Sequence, residues 1–293
     1  MRYDDDHESP DLIDKRGEGP VMAGSGGGAG LFYIIMMLLR WRYGWVIVLA
    51  IVGYVAYTNY FARGPSHVGD ESTQVAGTSP GGSVVKDAPA HFVAFVLDDV
   101  QASWQRDFAQ RGKAYPHAKL VLFSGSTATA CGAGRSATGP FYCPEDERVY
   151  IDLSFYRELE QRLGARGQFA KAYVIAHEIG HHVQHLLGTD KRVGAHDEGA
   201  TGGSVRLELQ ADCYAGIWAH TTEQRSILEQ GDIESALGAA AAIGDDTLQR
   251  EGRGTVRPDT FTHGTSAQRV RWFKQGYASG QLEQCDTFSA RNL

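Results

Sequence analysis

The stretch QFAKAYVIAHEIGHHVQHLL, residues 168–187, decides how the rest of the chain is read. Phe169, Tyr173, Ala176, Val183 and Leu187 recur at helical spacing, and Gly188 follows as a stop, which predicts one helix over 168–187. Ile175, Ile179 and Leu186 add a second apolar side, so the helix is expected to be central and buried except along one polar face. Gly180 falls in the apolar stripe, where a neighbouring element can approach closely. The polar face carries His177 and His181, one turn apart, with Glu178 beside them. A buried polar face needs a partner. Two neutral imidazoles at this spacing suit one tetrahedral Zn²⁺, and the intervening Glu is placed to take a proton from metal-bound water.

A hydrolytic zinc site takes three protein ligands and leaves one position open. The third is expected from the next helix, which carries Glu208-Leu-Gln-Ala-Asp212 after a charged, Gly-rich loop over 188–203 and a cap at Ser204. Glu208 is the best candidate for the ligand. Asp212, one turn on, is placed to accept Nδ1–H of a ligand histidine. Glu178 then acts as general base and later as proton donor to the leaving amine. His182 points away from the ligand direction and reads as a packing or surface residue, while His185 lies too far along the axis to share the ion. His263 would donate to a developing oxyanion if the tail folds over the site, and a plain capping or loop role is the alternative. Arg269, Arg271 and Lys274 read as a solvated or ion-paired face.

The remaining chain places this motif in a context. A net charge of −7 over 293 residues argues against nucleic acid as a partner. Residues 1–30 hold seven acidic and three basic residues with a Gly-rich run, and are expected to be a disordered cytoplasmic segment. Residues 31–62 form a membrane region: Tyr43 to Ala62 is uncharged, long enough to span a bilayer, and has aromatics at both ends. Arg40 and Arg42 precede it, which predicts a single pass with the N-terminus in the cytoplasm and the C-terminal part outside. Residues 63–90 read as a linker and 91–293 as the metal-bearing domain, starting with a helix over 91–111. Short strands are expected at 119–123, 141–143 and 148–153, and the small polar run Thr127–Ala137 as an edge for an extended peptide. A helix capped by Ser154, further helices within 223–250 and a tail helix ending near Gly276 complete the reading. Four cysteines in an extracytoplasmic domain favour two disulfides, with Cys131–Cys143 as a local clip and Cys213–Cys285 tying back the tail. Thiolate ligation of zinc is the rival reading, and no Cys-x-x-Cys pair supports it.

The runs AYVIAHEIGHHVQHLLG, RLELQADCYAGIWA, GPFYCPEDERVYIDLSF and FTHGTSAQRVRWFKQGY resemble the bacterial putative neutral zinc metallopeptidase family over roughly residues 91–290. The resemblance implies a zincin-like α+β fold, a small mixed sheet plus active-site helices, behind one transmembrane helix. It also implies His177, His181 and Glu208 as ligands to one Zn²⁺, Glu178 as catalytic and Asp212 behind the ligands. The expectation is a membrane-anchored zinc peptidase acting on a peptide or protein substrate. A non-catalytic zinc-stabilised binding or assembly protein is the alternative from another class, and a hydrolase of a non-peptide bond is a third. Glu178 favours the enzyme, because structural zinc needs no general base.

Overall fold

The structure, a computed structural model, describes residues 1–18, 87–162, 164–194 and 197–293. The expected span at 43–62 and most of the linker lie outside the described residues, and among those described no helix is long and apolar enough to cross a membrane. The architecture is mixed α+β, as expected, with seven α-helices among the described residues beside small sheets.

The larger sheet has four strands: β1 (Leu12–Asp14), β2 (Lys119–Phe123), β6 (Arg148–Asp152) and β5 (Phe141–Cys143), in the order β1-β2-β6-β5. β1, β2 and β6 run parallel, and β5 is antiparallel to β6. Strand alternation sorts the side chains onto two faces. Leu120, Leu122, Val149 and Ile151 join the main core, whereas Val121, Phe123, Cys143 and Tyr150 form a smaller cluster on the other face. A separate antiparallel hairpin, β3 (Ser126–Thr129) and β4 (Gly132–Arg135), sets Gly134 against the Phe141 ring and is bonded to β5 through Cys131–Cys143. The segment expected as one peptide-binding edge, Thr127–Ala137, is therefore mostly paired with itself, and Thr127 is buried. The outer strand of the main sheet on this side is β5.

Helix α1 (Ala88–Gln110) starts at Asp87, whose side chain accepts the Ala90 N–H at 3.0 Å, and buries Phe92, Val96, Val100 and Trp104. α2 (Ser154–Gln161) is not capped by Ser154; Asp152 accepts the Ser154 N–H at 2.8 Å instead. The motif helix, α3 (Gln168–Leu187), ends on left-handed Gly188 and packs against α1, α4 (Gly203–Gln224) and α5 (Asp232–Ala242). A Cβ at Gly180 would lie 3.1 Å from the Ala211 backbone, so the missing side chain sets the approach of α3 to α4. Ser204 does not cap α4; its N–H bonds to the Asp197 carbonyl at 3.0 Å.

After α6 (Asp245–Arg253), α7 (Ser266–Ser279) opens with a Thr265–Gln268 capping box and runs past Gly276 to Gly280. Gly276 is thus not a terminator. A Cβ there would overlap the Cys213 carbonyl, and one at Gly216 would overlap the Phe273 carbonyl, so α4 and α7 touch backbone to backbone. The Cys213–Cys285 disulfide fastens the tail to α4, and the pairing of all four cysteines follows the sequence reading.

The N-terminus corrects the sequence reading. Residues 1–18 are not disordered but belong to the same compact unit as the body. Leu12 and Ile13 pair in register with Leu120 and Val121. The Met1 ammonium is buried between Glu229 (3.1 Å) and Asp232 (2.9 Å), Asp11 meets His117 and Lys119, and Arg16 joins Asp14 to Asp87. Acidic composition misleads here because most of these partners lie far along the chain. Arg16 and Asp87 meet although some seventy residues separate them.

Candidate metal centre

α3 and α4 bring His177, His181 and Glu208 together, with one ligand atom of each within 4.8 Å of the others. His177 Nε2 lies 3.2 Å from Glu208 Oε2, and His181 Nε2 lies 3.4 Å from Glu208 Oε1. Ligands about 2.0–2.1 Å from a tetrahedral zinc are roughly 3.3 Å apart, so these separations fit the edges of such a site. Two imidazoles and one carboxylate are also a donor set that Zn²⁺ favours.

The nitrogens facing away fix the ring tautomers. His177 Nδ1 lies 2.8 Å from Asp212 Oδ1, so it donates its proton and leaves Nε2 for the metal. Asp212 is fully buried and also accepts from the Tyr173 hydroxyl, from Arg269 Nε at 2.8 Å and from Arg269 Nη2 at 2.9 Å. Arg269 is therefore not part of a solvated face. It is buried at 1 % exposure, and a third nitrogen reaches the Ile243 carbonyl at 3.3 Å. Arg271 and Lys274, on the other side of α7, are exposed as expected. His181 Nδ1 donates to Gln184 Oε1 at 2.8 Å.

The electrostatics follow from this packing. Burial pushes the Asp212 carboxyl up, but Arg269 and His177 outweigh it and hold it low. Glu208 is likewise held well below the ordinary carboxylate range by His181 and His177 against the effect of burial. Burial opposes charge on His177, yet Asp212 and Glu208 raise it to about 10. A metal ion held here would displace a proton from this cluster. Glu178, buried and without a salt bridge among the described residues, is raised, with burial as the largest cause.

Glu178 and the three clustered residues line one cleft of about 430 Å³. Phe141, Tyr142, Phe155, Val174, Leu207 and Leu248 supply apolar walls, and His263 faces the same space. Asp245 Oδ2 accepts the backbone N–H groups of Thr262, His263 and Gly264 at 2.6–3.0 Å, while its Oδ1 lies 3.2 Å from His263 Nδ1. His263 is raised above its ordinary value: burial opposes this, and Asp245 and Glu208 prevail. His182 is a packing residue, fully buried between the Pro116 carbonyl (2.8 Å) and the Tyr142 hydroxyl (3.0 Å). His185 pairs with Asp190 at 2.7 Å.

Sequence reasoning missed Tyr173, Gln184, Asp245 and the burial of Arg269. Gln184 carried a signal, because it lies three residues beyond His181 and so shares its face. Asp245 carried none, since only the tertiary fold brings it to His263.

No solved structure matches this chain. The uncharacterized protein YpfJ of Escherichia coli (strain K12) is 44% identical over 300 residues, covering 98% of this chain and 99% of that protein. The uncharacterized protein Rv2575 of Mycobacterium tuberculosis (strain ATCC 25618 / H37Rv) is 48% identical over 193 residues, 62% of this chain and 65% of that protein. The family model described as "Putative neutral zinc metallopeptidase" matches residues 1–288, so it includes the N-terminal strand as well as the clustered histidines, and the chain belongs to that family.

Proposed function

We propose that the protein is a zinc-dependent peptidase in which His177, His181 and Glu208 hold one Zn²⁺ and Glu178 is the general base. The observation that carries this is the position of Glu178, which shares the cleft with the three-residue cluster but is not part of it. Bound zinc would supply Lewis acidity toward the scissile carbonyl and the attacking water. Glu178 takes the proton of that water and returns it to the leaving amine. Burial raises its carboxyl toward the range in which a base can do both. Asp212 and Gln184 face the Nδ1 atoms of the two rings, so that each Nε2 is turned toward the metal position. His263, held by Asp245, is the cationic donor on the cleft wall available to the developing oxyanion.

The substrate is an extended peptide. β5 is the terminal strand of the main sheet, and its residues Phe141 and Tyr142 line the cleft, so a peptide adds along this edge rather than along 127–137. The apolar walls favour a large apolar side chain near the cleaved bond. Residues 1–18 and 87–293 share one side of any membrane that the 43–62 stretch engages, and the two disulfides favour an oxidising compartment on that side.

The test compares the full chain with its Glu178→Gln variant on a peptide library, with zinc content measured in both. Equal zinc and a loss of about 10²–10⁴-fold in cleavage are expected. A zinc-loaded wild type that cleaves nothing would overturn the peptidase reading in favour of a binding protein.

A further inference from the structure

Behind the second histidine of the motif stands an amide in place of the carboxylate behind the first. His181 Nδ1 faces Gln184 Oε1, and Gln184 is buried at 1 % exposure. Gln184 Nε2 reaches the Leu207 carbonyl at 2.7 Å and Gln210 Oε1 at 3.1 Å. Gln210 is also buried, and its Nε2 reaches the Cys285 carbonyl at 3.0 Å. Each of the two amides thus donates to a backbone carbonyl, which only accepts.

Those two acceptors determine every orientation between them. The Leu207 carbonyl requires the Gln184 nitrogen, so the Gln184 oxygen must face His181. The Cys285 carbonyl requires the Gln210 nitrogen, so the Gln210 oxygen must face Gln184. His181 then has to carry its proton on Nδ1, and its Nε2 lone pair is left toward Glu208 and the metal position. The geometry points to Gln184 and Gln210 as positioning residues that set the His181 tautomer through a buried amide relay anchored on the tail. Cys285, whose carbonyl ends the relay, is the residue that the disulfide fastens to Cys213. Zinc affinity thus depends on the Cys285 segment, which is not among the residues that line the cleft. This rests on the metal site proposed above.

The experiment measures zinc affinity of the full chain by chelator competition for wild type, Gln184→Leu, Gln184→Glu, Gln210→Leu and His181→Ala. Histidine tautomers are read in parallel by ¹⁵N NMR of the metal-free protein. Gln184→Leu should weaken zinc binding about 10–100-fold and give His181 mixed tautomers. Gln184→Glu should recover much of the affinity, since its carboxylate still accepts from Nδ1–H. Gln210→Leu should have a smaller effect in the same direction, because Leu207 still orients Gln184. Should Gln184→Leu fail to fold, Gln184→Glu and Gln210→Leu carry the same comparison. Zinc binding within twofold of wild type in Gln184→Leu, or in Gln210→Leu if the former is unfolded, with an unchanged His181 tautomer, overturns the relay. Wild-type zinc affinity in His181→Ala instead overturns the metal site itself.

Discussion

Replacing Arg269 by Met should be among the most damaging single changes outside the ligands. The guanidinium makes two bonds to Asp212 at 2.8 and 2.9 Å, one to Tyr173 at 3.2 Å and one to the Ile243 carbonyl at 3.3 Å, and both charged groups are buried. Met is close in length and apolar, so little cavity is left and the main loss is electrostatic. Removing one partner of a buried pair costs about 3–5 kcal/mol, because the other charge stays buried without compensation. His177 still faces Asp212 at 2.8 Å, which puts the expectation toward the lower end. For a domain of this size each kcal/mol moves the midpoint by roughly 2–4 °C, so a drop of order 10 °C is expected. Denaturant unfolding with chelator present isolates this effect from metal linkage. Asp212→Asn in the same background should restore part of the loss, giving a coupling above about 1 kcal/mol in the double-mutant cycle. A single-variant loss under about 1 kcal/mol, or strict additivity, would refute the reasoning.

Two further changes test other parts of the fold. Gly276→Ala would force α7 from α4, since its Cβ overlaps the Cys213 carbonyl; destabilisation of about 1–3 kcal/mol or more is expected, and a neutral urea midpoint would contradict the close packing. Asp245 is held below its ordinary carboxylate range: burial opposes this, but its bonds to His263 and to backbone N–H groups prevail. A depressed carboxylate adds stability above its unfolded pKa, about 3.9, and loses it as pH falls through its folded value. His263 is raised, so its share is present below about 6.5 and lost as pH rises through its folded value. Urea midpoints across pH should therefore show Asp245→Asn losing most stability between about pH 4 and 6.5, and a pH-independent difference would argue against the pair.

Much of the centre was legible because it is local. His177, Glu178 and His181 are fixed by helical spacing, and Glu208 with Asp212 repeat the same arithmetic one helix later. Gly188 and Gly180 were read from the absence of a side chain, one as a stop and one as a close approach. Gly276 was misread because a glycine late in a helix looks the same whether it ends the helix or admits a neighbour. Arg269 reads as solvated or ion-paired, because charge periodicity cannot tell a solvated face from one turned onto a buried carboxylate, and the structure shows it ion-paired. The strand at Leu12–Asp14 was missed for a third reason. Three residues amid acidic sequence carry no periodicity, and their partner is supplied by β2.

That strand also imposes an order in time. Leu12 leaves the ribosome early, but its partner Leu120 is made 108 residues later. At about 5–20 residues per second the wait is roughly 5–20 s, long compared with the microseconds in which a hairpin forms. The uncharged 43–62 stretch is made during that interval, while β1 is still unpaired. The edge strand thus joins the sheet late, only once all the residues between it and β2 have been made.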